Sequence, residues 1–205
     1  DGAQGFGGVY QNKKACGFGN VSATSFFPAK PLGCYGDGGA VFTDSDDLAE
    51  IMRSIRIHGS GADRYDNERI GINGRLDTLQ AAVLLEKIKI FDEELKQRNR
   101  IAAEYTAKLH DYLITPAIKR DYQSSWAQYS LLAKDSGERK RIMEHLKEKG
   151  IPTMIYYPIP LHKQTAFKGI KSDYCDLSIC EKISESIFSI PMHPYLEKGE
   201  TDMIA

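Results

Sequence analysis

The residue most suited to chemistry is Lys30, in the run Ser25-Phe26-Phe27-Pro28-Ala29-Lys30-Pro31-Leu32-Gly33. Prolines at 28 and 31 fix the local backbone and disfavour helix before each, so this lysine belongs to an extended loop. A solvated loop lysine is the ordinary reading of such a position. The alternative is a Schiff-base lysine, whose amine must lose its proton before it can attack a carbonyl. Desolvation by Phe26, Phe27 and the prolines would push it that way. Three further stretches could bind rather than react. Gly36-Asp37-Gly38-Gly39 reads as a tight turn or a phosphate nest, without P-loop spacing. Asn73-Gly74-Arg75-Leu76-Asp77 reads as a helix start with Asn73 as N-cap, or as an anion seat with Arg75 as its fork. Tyr156-Tyr157-Pro158-Ile159-Pro160-Leu161-His162 is a stiff aromatic loop able to line a polar pocket or to pack a domain edge. The five histidines lack metal-type spacing, so no metal site is expected.

These residues need positioning elements. Strands are expected over 21–27 and 39–43, with a glycine turn between them. Asp44-Ser45-Asp46-Asp47 should cap a helix running to about Arg56, and 58–68 reads as loop. One long amphipathic helix is predicted over 76–112, through Leu76, Leu79, Val83, Leu84, Ile88, Phe91 and Leu95 and on to Tyr112. After Thr115-Pro116 the order is strand (126–133), helix (137–149), short strand (153–156), Pro-rich loop and helix (175–188). That succession suggests a small α/β or α+β domain, which the long helix would bridge to the first. Residues 1–112 and 113–205 are the two expected parts.

Composition narrows the class. Lys+Arg 27 against Asp+Glu 28 leaves a net charge of -1, so no basic field advertises nucleic acid. Apolar runs fall far short of the roughly 20 residues that span a bilayer. Four cysteines without C-x-x-C spacing suit a reducing, cytoplasmic setting. The opening without Met and the helix start at Glu200-Thr201 suggest a fragment of a longer enzyme.

Taken together, the motifs resemble the DegT-type sugar-nucleotide aminotransferases, fold type I enzymes that use pyridoxal 5'-phosphate. The likeness rests on Asp1-Gly2-Ala3-Gln4, Thr24-Ser25-Phe26-Phe27-Pro28-Ala29-Lys30, Gly36-Asp37-Gly38-Gly39-Ala40, Asn73-x-Arg75-x-Asp77-x-x-Gln80-Ala81-Ala82 and Gly150-Ile151-Pro152-Thr153, in register along essentially the whole chain. It implies an α/β fold: part of the large cofactor domain, a long linking helix and a small α/β domain. By resemblance, Lys30 carries the cofactor and shuttles the proton, and Asp1 bonds the pyridine nitrogen. Gln4 lies against the ring, and Ser25 bonds the phosphate. Asn73 reaches a phosphate in the neighbouring subunit of a homodimer. The reaction implied passes an amine from glutamate to a keto group on a nucleotide-linked sugar.

The runs around Lys30, the Tyr-Pro-Ile-Pro-Leu loop and Pro191-Met192-His193-Pro194-Tyr195-Leu196 are most similar to enzymes acting on UDP-2-acetamido-2-deoxy-3-oxo-glucuronate in surface-polysaccharide and lipopolysaccharide synthesis. There, His58, Arg75, Tyr156 and Tyr157 correspond to positions near the sugar. Tyr156 stands where histidine is common, and Gly2 where alanine is usual. The family's first half is absent, so the parent enzyme is expected to transaminate and this fragment alone to be inactive. Two other readings keep the fold. Relatives that dehydrate at carbon 3 have histidine in the lysine position, which Lys30 argues against. A regulatory member without chemistry would not need Asp1, Gln4, Ser25, Lys30 and Asn73 together. A 4-keto-sugar acceptor is the alternative substrate.

Overall fold

The computed structural model describes residues 1–63, 65–170 and 176–205. They form two compact units: Asp1–Lys96 with Ile118–Ala127, and Gln97–Ala117 with Gln128–Ala205.

In the first unit a hairpin of β1 (Val9–Tyr10) and β2 (Lys13–Lys14) turns through Gln11 and Asn12, both at positive φ. Such a two-residue turn matches the twist of its strands and tolerates asparagine there. β3 (Ser22–Ser25) and β4 (Gly39–Phe42) pair antiparallel, Ser22 opposite Phe42 and Ser25 opposite Gly39. The ladder is shorter than the apolar run because Phe26 turns out of it into the core. Ser45 caps α1 (Asp46–Arg56), accepting from the Leu48 N–H at 3.3 Å. Asp46 and Asp47 at its start and Arg53 and Arg56 at its end complement the helix dipole.

The long helix is broken in two, α2 (Thr78–Lys87) and α3 (Phe91–Leu109). Between them, the N–H groups of Lys89, Ile90 and Phe91 bond the carbonyls of Glu86, Lys87 and Ile88, three residues back. This tighter winding brings Phe91 into the cluster of Phe26, Leu32, Cys34 and Leu84. The rings of Phe26, Phe42 and Phe91 all lie about 6 Å from that of Phe6. Burying a Phe or Leu side chain stabilises by roughly 1.5–3 kcal/mol, enough to outweigh the continuity of one turn. The predicted stripe fails at Leu79 and Ile88, which are 80% and 53% exposed. β5 (Tyr122–Gln123) completes a sheet ordered β2-β1-β5, and Tyr10 stacks on Tyr122 at 4.3 Å.

In the second unit β6 (Tyr129–Leu132) is followed by α4 (Ser136–Glu148), whose N-cap Asp135 accepts from the Glu138 N–H at 2.8 Å. The segment 153–156 forms only a bridge, Met154 to Ser189, rather than a strand. α5 (Ser178–Ser186) ends before Phe188, because Ile187–Ile190 becomes β7, antiparallel to β6. Ile183, Ile187 and Phe188 fit helical spacing, but pairing with β6 decides their state. The expected start of that helix at Cys175 lies outside the described residues. α6 (Lys198–Ile204) starts one turn earlier than expected, on a Glu197/Glu200 capping box. Ile101, Tyr105, Tyr129, Leu131 and Phe188 fill the core, the Tyr105 hydroxyl donating to Pro191 O at 3.0 Å. No described helix is long and apolar enough to cross a membrane.

Candidate active site

β3 organises the candidate residues of the first unit. Its middle receives the chain start: the Gly2 N–H donates to Ala23 O at 2.7 Å, and Thr24 Oγ1 donates to Gly2 O at 3.1 Å. Asp1 is thereby held beside the strand, exposed, its Oδ1 accepting from the Ala3 N–H at 2.8 Å. Ser25 closes the strand, half-buried, with Oγ accepting from the Phe27 N–H at 3.2 Å. Gln4 leaves its side chain exposed while its carbonyl accepts from Ser125 Oγ at 2.9 Å.

Lys30 follows on a loop closed at its base. The Phe26 N–H donates to Gly38 O, the Cys34 N–H to Phe26 O and the Lys30 N–H to Phe27 O, each at 2.8 Å. Cys34, fully buried, adds Sγ contacts to Phe26 O at 3.0 Å and Gly36 O at 3.1 Å. At Gly33 a Cβ would lie 2.5 Å from Pro28 O, so the loop folds this tightly only with glycine there. Lys30 is half-buried. The expected desolvating wall is only half present: Phe26 is buried, but Phe27 is 51% exposed because its neighbour has taken the core-facing position.

Asn73, His58 and Arg75 form a second group, at the end of α1. Asn73 is not an N-cap. It lies in extended backbone bridged to Ile57, and the Gly74 N–H donates to Arg56 O at 2.8 Å. That pairing holds the segment away from α2, whose N-cap is Asp77. His58 has φ 61 and donates its N–H to Ile72 O at 2.9 Å. The side chains of His58, Asn73 and Arg75 are all exposed, available to a ligand.

Tyr156 and Tyr157 belong to the second unit, their rings 5.5 Å apart and edge to face. Their loop continues to His162, whose Nε2 is 2.9 Å from Glu181 Oε1, with Lys163 Nζ donating to Glu181 Oε2 at 2.6 Å. Those bonds, Lys163 first and His162 second, hold the Glu181 carboxyl below its usual range. His162 thus anchors the loop to α5.

A cavity of about 1000 Å³ opens between the β3–β4 pair and α1, lined by Thr24, Val41, Met52, Arg56 and Ile72 among others. Asp1, Ser25 and Lys30 do not line it, and its walls are chiefly apolar, so the candidate site is placed at the β3 end instead. Sequence reasoning gave no role to Gln80 and Lys87 of α2. Both reach the loop after Lys30: the Tyr35 N–H donates to Gln80 Oε1 at 2.8 Å, and Lys87 Nζ donates to Gly33 O at 2.6 Å. Their spacing of seven, two helical turns on one face, was the available signal.

Asp1 beside β3, Ser25 at its end and Lys30 on the loop that follows supply a carboxylate, a hydroxyl and a primary amine, the donor types that suit a phosphate-bearing aldehyde with a basic ring nitrogen. The model of the DegT/DnrJ/EryC1/StrS aminotransferase family matches residues 1–205. This chain belongs to that family. Its members are aminotransferases that work with pyridoxal phosphate, and the donor set described above fits that group. The chain is 45% identical, over all of its length and 55% of the relative's, to the UDP-2-acetamido-2-deoxy-3-oxo-D-glucuronate aminotransferase of Pseudomonas aeruginosa. It is 38% identical, over all of its length and 55% of the relative's, to a pleiotropic regulatory protein of Geobacillus stearothermophilus. A solved DegT/DnrJ/EryC1/StrS aminotransferase from Brucella abortus superposes with a TM-score of 0.96 at 48% identity, over all of this chain and 54% of that one. The α/β fold expected for part of such an aminotransferase is therefore present. The chain spans about half the length of the curated relatives it matches.

Proposed function

We propose that these residues serve, within a chain of the relatives' length, as the lysine-bearing part of a pyridoxal phosphate-dependent aminotransferase. It would pass the amine of glutamate to a nucleotide-linked keto-sugar, UDP-2-acetamido-2-deoxy-3-oxo-glucuronate, for surface-polysaccharide or lipopolysaccharide synthesis. The observation that carries this reading is the amine of Lys30 on a closed loop at the end of β3, the strand to which the Asp1-Gly2 segment is bonded. The 45% identity to an enzyme of that name supports the choice of sugar.

The cofactor, when bound, supplies a conjugated ring able to accept the electron pair left when a proton departs from the amino-bearing carbon. Asp1 holds a proton on the ring nitrogen, which keeps that ring electron-poor. Gln4 orients the ring, and Ser25 Oγ binds the phosphate. Lys30 Nζ would hold the cofactor covalently in the resting enzyme and, once the substrate amine has taken its place, would as a free amine move the proton to and from the reacting carbon. Arg75, with its forked guanidinium, pairs with the sugar carboxylate, and His58 binds nearby. Tyr156 and Tyr157 are assigned to the sugar by resemblance.

We assign a homodimer in which Asn73 reaches the phosphate bound by the neighbouring subunit. Apolar residues left uncovered in the same unit, Ile70 at 99%, Leu79 at 80% and Leu85 at 66% exposure, suit an interface between copies. A cytoplasmic location accords with the free thiols Cys16, Cys34 and Cys180.

The test uses the full-length protein carrying this sequence, offered glutamate and a panel of UDP-keto-sugars, with products weighed by mass spectrometry. Borohydride should leave a pyridoxyl adduct on Lys30, lost in Lys30→Ala, and the 3-oxo-glucuronate should gain an amine. Amination of 4-keto-sugars alone would refute the substrate. Absence of any adduct would favour the second reading, a regulatory protein, which the likeness to the G. stearothermophilus regulator recommends.

A further inference from the structure

We propose that Gln80 and Lys87 are positioning residues for Lys30, gripping from α2 the turn that follows it. The inference rests on the reading above that Lys30 carries the cofactor. Lys30 is followed by Pro31, Leu32 and Gly33, all buried, so the loop backbone is packed rather than loose. Its own bonds, Phe26 with Gly38 and Cys34 with Phe26, close the base. They fix the loop's shape, and Leu32 and Cys34 pack it with Leu84 of α2, a non-directional contact that leaves its exact register along the helix to polar groups.

Setting that register falls to two side chains. Gln80 Oε1 accepts the Tyr35 N–H at 2.8 Å, and its amide comes close to Gly36, where a Cβ would be 2.9 Å from Nε2. One turn pair further, the half-buried Lys87 donates to Gly33 O at 2.6 Å, its Nζ also 5.9 Å from the Tyr35 ring centroid. Two bonds to carbonyl and amide groups three to five residues beyond Lys30 oppose sliding or rocking of the loop along α2. The position of Lys30 Nζ is then set by the helix. Reacting groups tolerate little displacement, and a shift of about 1 Å costs on the order of a hundredfold in rate.

The chemistry of each contact selects the test variants. Gln80→Glu keeps an oxygen that accepts from Tyr35, whereas Gln80→Leu removes it at similar size. Lys87→Arg keeps a cationic donor, and Lys87→Met keeps only the stem. In the full-length holoenzyme, Gln80→Leu and Lys87→Met should lower kcat roughly ten- to a hundredfold with little change in sugar KM. Gln80→Glu and Lys87→Arg should recover most of it. In the apoenzyme, hydrogen exchange at the Tyr35 amide should speed up in Gln80→Leu and remain slow in Gln80→Glu, which reads the grip without activity. A purely structural role would lower the melting temperature of Gln80→Leu and Lys87→Met without a matching loss of kcat in the holoenzyme that stays folded, and that result would also overturn the inference. If wild type traps a pyridoxyl group on Lys30, yet Gln80→Leu and Lys87→Met exchange and turn over like it, this inference is overturned alone. If wild type traps nothing on Lys30, the functional reading falls and takes this one with it.

Discussion

Gly2→Ala is an informative perturbation, because a side chain at residue 2 meets the sulfur of Cys16. A Cβ on residue 2 would stand 2.4 Å from Cys16 Sγ and 3.3 Å from Ala23 O. Retreat is blocked on the backbone side, where the Gly2 N–H and C=O are both bonded to β3 at 2.7 and 3.1 Å. Either the sulfur swings out of its seat, or the chain lifts from the strand and carries Asp1 with it. Overpacking of this kind costs about 1–3 kcal/mol. For a protein of this size each kcal/mol lowers the melting temperature by about 2–4 °C. Cys16 has φ 68, a backbone region that glycine occupies freely, so Cys16→Gly removes the sulfur without new backbone strain. In that background Gly2→Ala should cost almost nothing. The coupling between the two changes is expected to fall within the roughly 0.5–3 kcal/mol seen for touching residues. The assay is thermal unfolding of the four apoproteins, wild type, two single variants and the double. The same experiment on the holoenzyme reads whether Asp1 has shifted, as a lower yield of borohydride-trapped adduct in Gly2→Ala alone. Equal melting losses from Gly2→Ala with and without Cys16 would refute the reasoning, since the cost would then come from Ala23 or the chain start itself.

Two further outcomes are expected. Burial, and then the nearby Glu200 and Glu104 carboxylates, pushes the Tyr105 phenol far above its ordinary value, and burial also raises that of Tyr129. The folded state therefore keeps these protons longer than the unfolded chain, so their stabilisation is complete below the unfolded value of about 10 and fades as pH rises beyond it. Melting temperature should drop on the alkaline side, and Tyr105→Phe should flatten that drop while costing about 1 kcal/mol at neutral pH through the bond lost to Pro191. On α2, Leu79→Glu should leave the melting temperature of the subunit near wild type, since the side chain is 80% exposed, yet give a monomer in sedimentation. A dimer that survives this charge would place the subunit contact elsewhere.

Part of the local structure around the candidate residues was legible in the sequence. Lys30 announced itself by prolines that forbid helix, a local rule that needs no partner. Ser45, within the run Asp44-Ser45-Asp46-Asp47, was readable as a cap of α1 for the same reason: a cap bonds residues two or three positions away. Asn73 misled, because asparagine before a helical stripe has the right type for a cap, while a bridge to Ile57 sixteen positions earlier claims its backbone. Gln80 stood in a recognised motif without a role, because its partner, Tyr35, is remote in sequence.

Local backbone chemistry, then, was written in the chain: which loop excludes helix, where helices begin, which groups could hold an amine, a phosphate or a carboxylate. Tertiary contact alone decided that the long helix breaks before Phe91, that Ile187–Ile190 becomes a strand against β6, and that α2 grips the turn beyond Lys30. The physical reason is one of range. Steric and capping preferences act within a few residues, whereas burial of Phe91 against Phe6 and a hydrogen bond from residue 35 to residue 80 exist only once distant segments have met.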